Sequence, residues 1–354
     1  MAGLVAAARA RELGAEPLLL EKGDRAGGSM LLSSGVIWRY RSLDAFRAEC
    51  PGGDPALQQE IVERLDEGIE WLESLGAPVV EQETGNPRTV GKRFDPPGLT
   101  EALVRAAGQV HLGRGLVRGA ETSPNQTCPV PGTRHGSEGP VVLATGGFPV
   151  RLAREHGLLL RANRWSEGDG FDFARERGAG VSGDVDEFYG RAMPALETVA
   201  EQDFVRLTQL YGRYATVLSY DRSERFEGEP SWSETDLVQQ IARWPGACAW
   251  YTVEEGALEE RVRDRTVGEM IDEARKAGTR VEEGEGSISV LVRASVTQTL
   301  GGLQIDERAR VAGADDLYAA GADVGGISTG GYSSGLAAAL VFGRIAAEEA
   351  LSRA

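Results

Sequence analysis

The chain has 354 residues, of which 41% are hydrophobic and 26% charged, and it carries a formal charge of −16. That length is ample for a sizeable core in one large domain or two. The acidic balance disfavours a nucleic-acid partner, and no apolar run approaches the roughly 18 residues of a membrane span. Glycine is the outlier at 47 residues, about twice the usual share. Many glycines fall in short clusters between apolar runs, where backbone turns tightly or comes close to a ligand. The three cysteines, Cys50, Cys128 and Cys248, show no metal spacing and no redox pair. Reduced thiols in a cytoplasmic compartment are expected. The three histidines, His111, His135 and His156, have no second candidate ligand nearby, so no metal site is expected. The opening "AGLVAAA" runs straight into "RARE", unlike a secretory signal.

Residues 4–13 combine Ala, Leu and Arg without Gly or Pro, which predicts a helix ended by Gly14. "EPLLLEK" predicts a short buried strand, closed by "GDRAGG". Leu57, Ile61, Leu65, Ile69 and Leu72 recur at helical spacing and predict an amphipathic helix over 56–75. "GLTEALVRAAG" predicts another helix, with Thr100 as its N-cap. Residues 113–139 are rich in Gly, Pro, Ser and Thr and read as an irregular loop. "PVVLATGGF" predicts a buried strand running into a double-glycine turn. From about 150 the pattern changes to aromatics, acidic helices and polar turns. "LGGLQID" and "LYAAGADVGG" return to apolar runs punctuated by glycine, and "GLAAALVFGRIAAEEALSRA" predicts a long terminal helix. No internal repeat is found. The pattern predicts one domain in two parts, 1–150 and 293–354, with a substrate or cap domain at 151–292 inserted into it.

Glu21 ends the first predicted strand, eighteen residues after Gly3, with Lys22 beside it. A carboxylate there is placed to accept from the ribose hydroxyls of an adenine dinucleotide. Gly27 and Gly28 let backbone amides approach a pyrophosphate or ribityl chain, and Thr145, Gly146 and Gly147 do the same from a neighbouring strand end. Taken singly, such a Glu is more often a solvated loop residue, and either glycine pair a plain tight turn.

Taken together, "AGLVAAARARELGAEPLLLEKGDRAGGSM", "VVLATGGF", "RWSEGDGFDFARERGA", "SERFEGEPSW", "TLGGLQID" and "LYAAGADVGG…GYSSGLAAALVFGRIAAEEA" resemble the FAD-binding flavoprotein family of fumarate reductases, succinate dehydrogenases and 3-ketosteroid dehydrogenases. The six motifs span nearly the whole chain in the family's order. The resemblance implies an α/β fold, a Rossmann-like FAD-binding domain in two parts with an inserted α+β cap. By family likeness Glu21 meets the adenosine ribose, and Gly28, Ser29 and Gly35 line the pyrophosphate and flavin. Asp169, Gly170 and Gly321 lie by the cofactor, and Gly335 and Leu336 present amides to the isoalloxazine. Gly335 opens the terminal helix, whose positive end favours an anionic reduced flavin. Where succinate dehydrogenases attach flavin to a histidine, this chain has Met30, Leu31 and Leu32, so the FAD is expected to be non-covalent.

The active-site pattern departs from the fumarate reductases. Gln298 stands where they carry a histidine, and Tyr332 where they carry a carboxylate-gripping arginine. Their cap arginine falls near Leu258, with Arg261 one turn away. The run "YSSG", Tyr332 to Gly335, resembles ketosteroid dehydrogenases, and Tyr332, Ser334 and Gln298 become the candidate catalytic residues. The resemblance implies hydride transfer between a CH–CH bond and flavin N5, on a small neutral ketone such as a 3-ketosteroid. The alternatives are a fumarate reductase-like alkene reductase, or a decayed relative that binds no flavin. The electron acceptor is unknown, since neither a haem-attachment motif nor a second nucleotide fingerprint occurs. The family also begins with a strand and a Gly-x-Gly-x-x-Gly turn. Gly3 matches its last glycine, so the strand and first two glycines are expected to be missing, through a misplaced start or as part of a longer protein.

Overall fold

The computed structural model describes residues 1–116 and 139–352. Cys128, His135 and most of the expected loop at 113–139 lie outside the described residues. The first helix runs Ala2–Glu12. Gly14, at φ +89°, donates to Arg11 O, and the Ala15 amide donates to Ala10 O, so the last turn's carbonyls are satisfied. The helix buries Ala6 and Ala10 against Ala347 of the terminal helix, Gly335–Ser352. Gly343 permits that approach: a Cβ there would stand 3.0 Å from Ala2 O.

Two parallel strand pairs follow the α/β expectation. Leu19–Glu21 pairs with Val110–Leu112, and Val141–Leu143 pairs with Leu317–Ala319. Among the described residues each pair stands as a two-stranded sheet. A three-stranded antiparallel sheet orders Val36–Tyr40, Thr89–Phe94 and Val79–Glu81. The amphipathic helix runs Pro55–Ser74 and buries Leu57, Ile61, Leu65, Ile69 and Leu72, as its spacing predicts. The next helix, Pro96–Ala107, corrects one expectation. Asp95, not Thr100, is its N-cap, accepting from the Gly98 amide at 2.8 Å. Pro96 then fits the first helical position, where no amide bond is lost. Thr100 lies inside the helix and donates to Pro96 O at 2.8 Å.

The chain divides into two units, the first being Met1–Phe148, Asn163–Glu187 and Gln298–Ala354, the second Pro149–Ala162 and Phe188–Thr297. Asn163–Glu187 groups with the first unit. The reason is a set of local bonds, among them Asn163 N to Ser29 Oγ at 3.0 Å and Gly170 N to Thr145 Oγ1 at 3.1 Å.

The second unit is built on a six-stranded sheet around the long strand Ser287–Thr299. Cys248–Glu254 and Val281–Gly284 pair with it antiparallel, and Leu159–Leu160 parallel. Val290, Val292, Ala294 and Val296 alternate along it and are buried, the period expected of one covered sheet face. The helix Thr235–Arg243 buries Leu237, Val238 and Ile241. The second unit thus combines a mostly antiparallel sheet with helix.

Candidate functional site

The first unit gathers most of the predicted residues along one continuous line of contacts. Glu21 closes its strand, and its Oε1 accepts from the Gly23 amide at 2.7 Å. Gly23 is small by need, since a Cβ there would stand 2.8 Å from Trp165 Cδ1. Lys22 Nζ pairs with Asp169 at 2.7 Å and with Glu167 at 2.5 Å. Partial burial works to lower the Lys22 pKa, but these two carboxylates outweigh it and raise it. Gly27 and Gly28, at φ +109° and +54°, turn the chain into a short helix, Gly28–Met30. Gly28 leaves room for Asn163, whose amide nitrogen would lie 3.6 Å from a Cβ at that position. Gly3, in the first helical turn, faces Ala144 and Leu19, where an added Cβ would make ordinary contacts.

The turn after Val141–Leu143 is held by a residue that the motifs did not point to. Asp323 is 1% exposed, and its carboxylate accepts from the Thr145 amide and from Thr145 Oγ1 at 2.7 Å. It also accepts from the Gly146 and Gly147 amides, each at 3.2 Å. Burial raises its pKa, and these donors oppose the rise. The three amides expected to meet the cofactor are therefore directed at a protein carboxylate. What they do is fix the turn rigidly. The sequence signal was an acid inside the otherwise apolar "LYAAGADVGG". Gly170 is also tightly constrained, because a Cβ there would stand 2.6 Å from Thr145 Oγ1.

The line continues to the terminal helix. Thr299 Oγ1 donates to Ala322 O at 3.2 Å, next to Gly321 at φ +71°. Gln298 packs its side-chain oxygen on Gly335, 1.9 Å from where a Cβ would be. Gln298, Thr299, Gly321, Ala322, Ser328, Ser333 and Gly335 line a small recess, completed by Leu300, Val324, Ile327 and Ala338. No charged side chain lines it.

Ser334 is buried and caps the terminal helix. Its Oγ accepts from the Ala337 amide at 3.2 Å, and its carbonyl accepts from Ala338. The intrahelical ladder therefore starts at Ala338, and the Gly335 and Leu336 amides precede it. Helix N-termini of this kind bind partial negative charge. Tyr332 is half-buried beside Ser333, and it meets Trp38 edge to face at 5.5 Å. Its carbonyl accepts from the Tyr40 hydroxyl at 2.6 Å. Sequence reasoning missed Trp38 and Tyr40, which lie on the strand Val36–Tyr40 and show no motif.

Gly35 stands apart from this line. Its φ is +74° and a Cβ would fall 2.0 Å from Phe94 O, so it serves the pairing of Val36–Tyr40 with Thr89–Phe94. Arg261 lies in the second unit, exposed, and donates to Asp264 O at 2.8 Å. Among the described residues no three His, Cys, Asp or Glu are placed to hold a metal, and no helix is long and apolar enough to cross a membrane.

Known proteins share the fold. The FAD binding domain family matches residues 1–119 and 101–336. A probable fumarate reductase, Ifc3, of Shewanella frigidimarina is 23% identical over 443 residues, covering 100% of this chain and 74% of that protein. The open conformation of a flavocytochrome c3 fumarate reductase superimposes with a TM-score of 0.68 at 20% identity, covering 99% of this chain and 76% of that one. The 3-ketosteroid-Δ4-(5α)-dehydrogenase of Rhodococcus jostii, solved with 4-androstene-3,17-dione, does so with a TM-score of 0.67 at 17% identity, covering 99% and 94%. The chain belongs to the FAD binding domain family. It is a flavoprotein of the oxidoreductase class, with FAD as its cofactor.

The residues present fit that cofactor. Glu21 offers a carboxylate at a strand end, the Gly27–Gly28 turn follows it, and the Gly335 and Leu336 amides open a helix beside an uncharged recess.

Proposed function

We propose that this flavoprotein oxidises or reduces a carbon–carbon bond beside a ketone in a neutral substrate, of which a 3-ketosteroid is the type. The observation that carries the reading is that Gln298 and Tyr332 stand where, by the resemblance, the fumarate reductases carry a histidine and a carboxylate-gripping arginine. Fumarate and succinate carry two carboxylates, and desolvating a carboxylate without a cationic partner is costly. Gln298, Ser328 and Ser333, whose two serine hydroxyls share a hydrogen bond, line the recess beside the terminal helix without supplying charge.

Bound FAD supplies the acceptor or donor of a hydride at N5. Glu21 holds the adenosine end, and the Gly335 and Leu336 amides favour negative charge at the flavin end. FAD is held without a covalent bond, since by the resemblance Met30, Leu31 and Leu32 stand where succinate dehydrogenases carry the attaching histidine. The Tyr332 hydroxyl polarises the substrate carbonyl or carries the proton that leaves with the hydride. Trp38 and Tyr40 fix the Tyr332 ring and backbone. Ser334 sets the first turn of the terminal helix through its cap bond.

The test is anaerobic mixing of the FAD-loaded protein with a panel of neutral ketones, 3-ketosteroids included, and with succinate. Loss of oxidised-flavin absorbance with a ketone and none with succinate is the expected result. Bleaching by succinate alone, or rapid reoxidation of the reduced protein by fumarate, would overturn the neutral-substrate reading and favour a fumarate reductase-like activity.

A further inference from the structure

The second unit holds a polar cluster in its core that the proposed chemistry leaves unused. Tyr211 and Tyr251 are fully buried, and their rings meet edge to face at 5.5 Å. Glu234 is 5% exposed, and its Oε1 accepts from the Gly212 amide at 2.9 Å. Its Oε2 and both tyrosine hydroxyls have no hydrogen-bond partner among the described residues. Buried polar atoms in folded proteins are nearly always paired, with protein or with an internal water.

The backbone is arranged to bring this about. Glu234 sits at φ +55°, a left-handed conformation that non-glycine residues enter at a cost. It immediately precedes the helix Thr235–Arg243, whose Val238 amide donates to Glu234 O. A carboxylate at that position would ordinarily face water. Here it is buried and interacts electrostatically with two buried phenols.

The charged and titratable groups around it come from every neighbouring element. Arg191, on Phe188–Pro194, and Arg213, beside Gly212, attract the carboxylate. Asp236, on its own helix, repels it, and Tyr211 and Tyr251 are electrostatically coupled to it. Burial dominates and pushes the Glu234 pKa up to about 7, with Arg191 and the Gly212 amide pulling against the rise. Burial likewise pushes both phenols far above their ordinary range, so they remain neutral donors.

We propose that Tyr211, Tyr251 and Glu234 form an internal site that binds one water molecule and holds one exchangeable proton on the Glu234 carboxyl. That water gives each of the three oxygens a partner. With the carboxyl ionised it accepts from the two phenols and donates to Oε2; with the carboxyl protonated it accepts from Oε2 and one phenol and donates to the oxygen of the other. The proton comes from solvent and returns to it, with no redox partner required.

The full FAD-loaded chain tests this through melts at several pH values, for wild type and for Glu234→Gln, Tyr211→Phe and Tyr251→Phe. A carboxyl whose pKa is raised on folding binds more protons in the folded state, so stability falls as pH rises from about 4.5 to about 7. Relative to Glu234→Gln, the wild-type unfolding equilibrium should rise by roughly two orders of magnitude across that window. Each Tyr→Phe variant should be less stable than wild type and should keep Glu234 protonated to higher pH, because a donor to the water is lost. A pH slope unchanged in Glu234→Gln, or Tyr→Phe variants as stable as wild type, would overturn the proposal. Should a variant misfold, infrared spectra of the wild-type chain decide. A protonated-carboxyl band that vanishes on titration through neutral pH supports the site, and its absence below neutral pH refutes it.

Discussion

The two units solve different problems with different parts of the chain. In the first, backbone does most of the recognising: short strands end in glycine turns, and amides meet a carboxylate or open a helix. In the second, side chains do it. Thirteen residues of one strand organise a six-stranded sheet, and phenols, a carboxyl and a guanidinium meet inside the unit. A backbone site leaves its mark in sequence, because glycine spacing is its mechanism. A side-chain site assembled from Arg191, Tyr211, Glu234 and Tyr251 leaves none, because each residue comes from a different element.

The sharpest way to break this contrast is a single methyl group in the first unit. Gly35→Ala should destabilise the protein by about 4 kcal/mol or more, combining a left-handed backbone with a clash on Phe94 O. Gly14→Ala is the control. It has a similar φ but nothing within 4 Å, so only the conformational cost of about 1–2 kcal/mol should appear. Denaturant unfolding measures both. Equal losses would show that conformation, and not close approach, governs these glycines.

Asp323→Ala comes next. It leaves the Thr145, Gly146 and Gly147 amides without their acceptor, at a cost of roughly 3 kcal/mol, and should loosen flavin along with the turn. Unfolding and flavin-release measurements on the same sample read both effects. Retention of full stability would mean that the turn stands without its carboxylate. Smaller again is Glu21→Ala, which should weaken FAD binding by about 1–3 kcal/mol with little change in the stability of the flavin-free protein. Fluorescence titration with FAD checks it, and unchanged affinity would remove Glu21 from the site.

How far the sequence could be read follows the same division. The helix over 56–75 was legible because Leu57 to Leu72 repeat at one face and nothing interrupts them. The first and terminal helices were legible from their alanines and bounding glycines. Glu21, Lys22, Asp169, Gly170, Thr145 and Gly335 were each visible as motif residues, and the structure joins them into one line of contacts. Asp323 was not, since its role depends on a turn 178 residues away. Thr100 was misplaced because a Thr before a periodic run resembles a cap, whereas Asp95 followed by two prolines makes the actual one. The return of Asn163–Glu187 to the first unit rests on bonds to Ser29 and Thr145, which no local pattern announces.

The most direct test of the account is the anaerobic single-turnover rate of flavin reduction by a neutral ketone substrate in wild type and in Tyr332→Phe. Trp38 and the Tyr332 carbonyl are untouched by the substitution, so the ring stays against Trp38 and the backbone stays bonded to the Tyr40 hydroxyl. The account predicts that substrate affinity stays near the wild-type value while the reduction rate falls by about 100-fold or more, the range for loss of a positioned proton carrier. A Tyr332→Phe protein that reduces its flavin at the wild-type rate would contradict it.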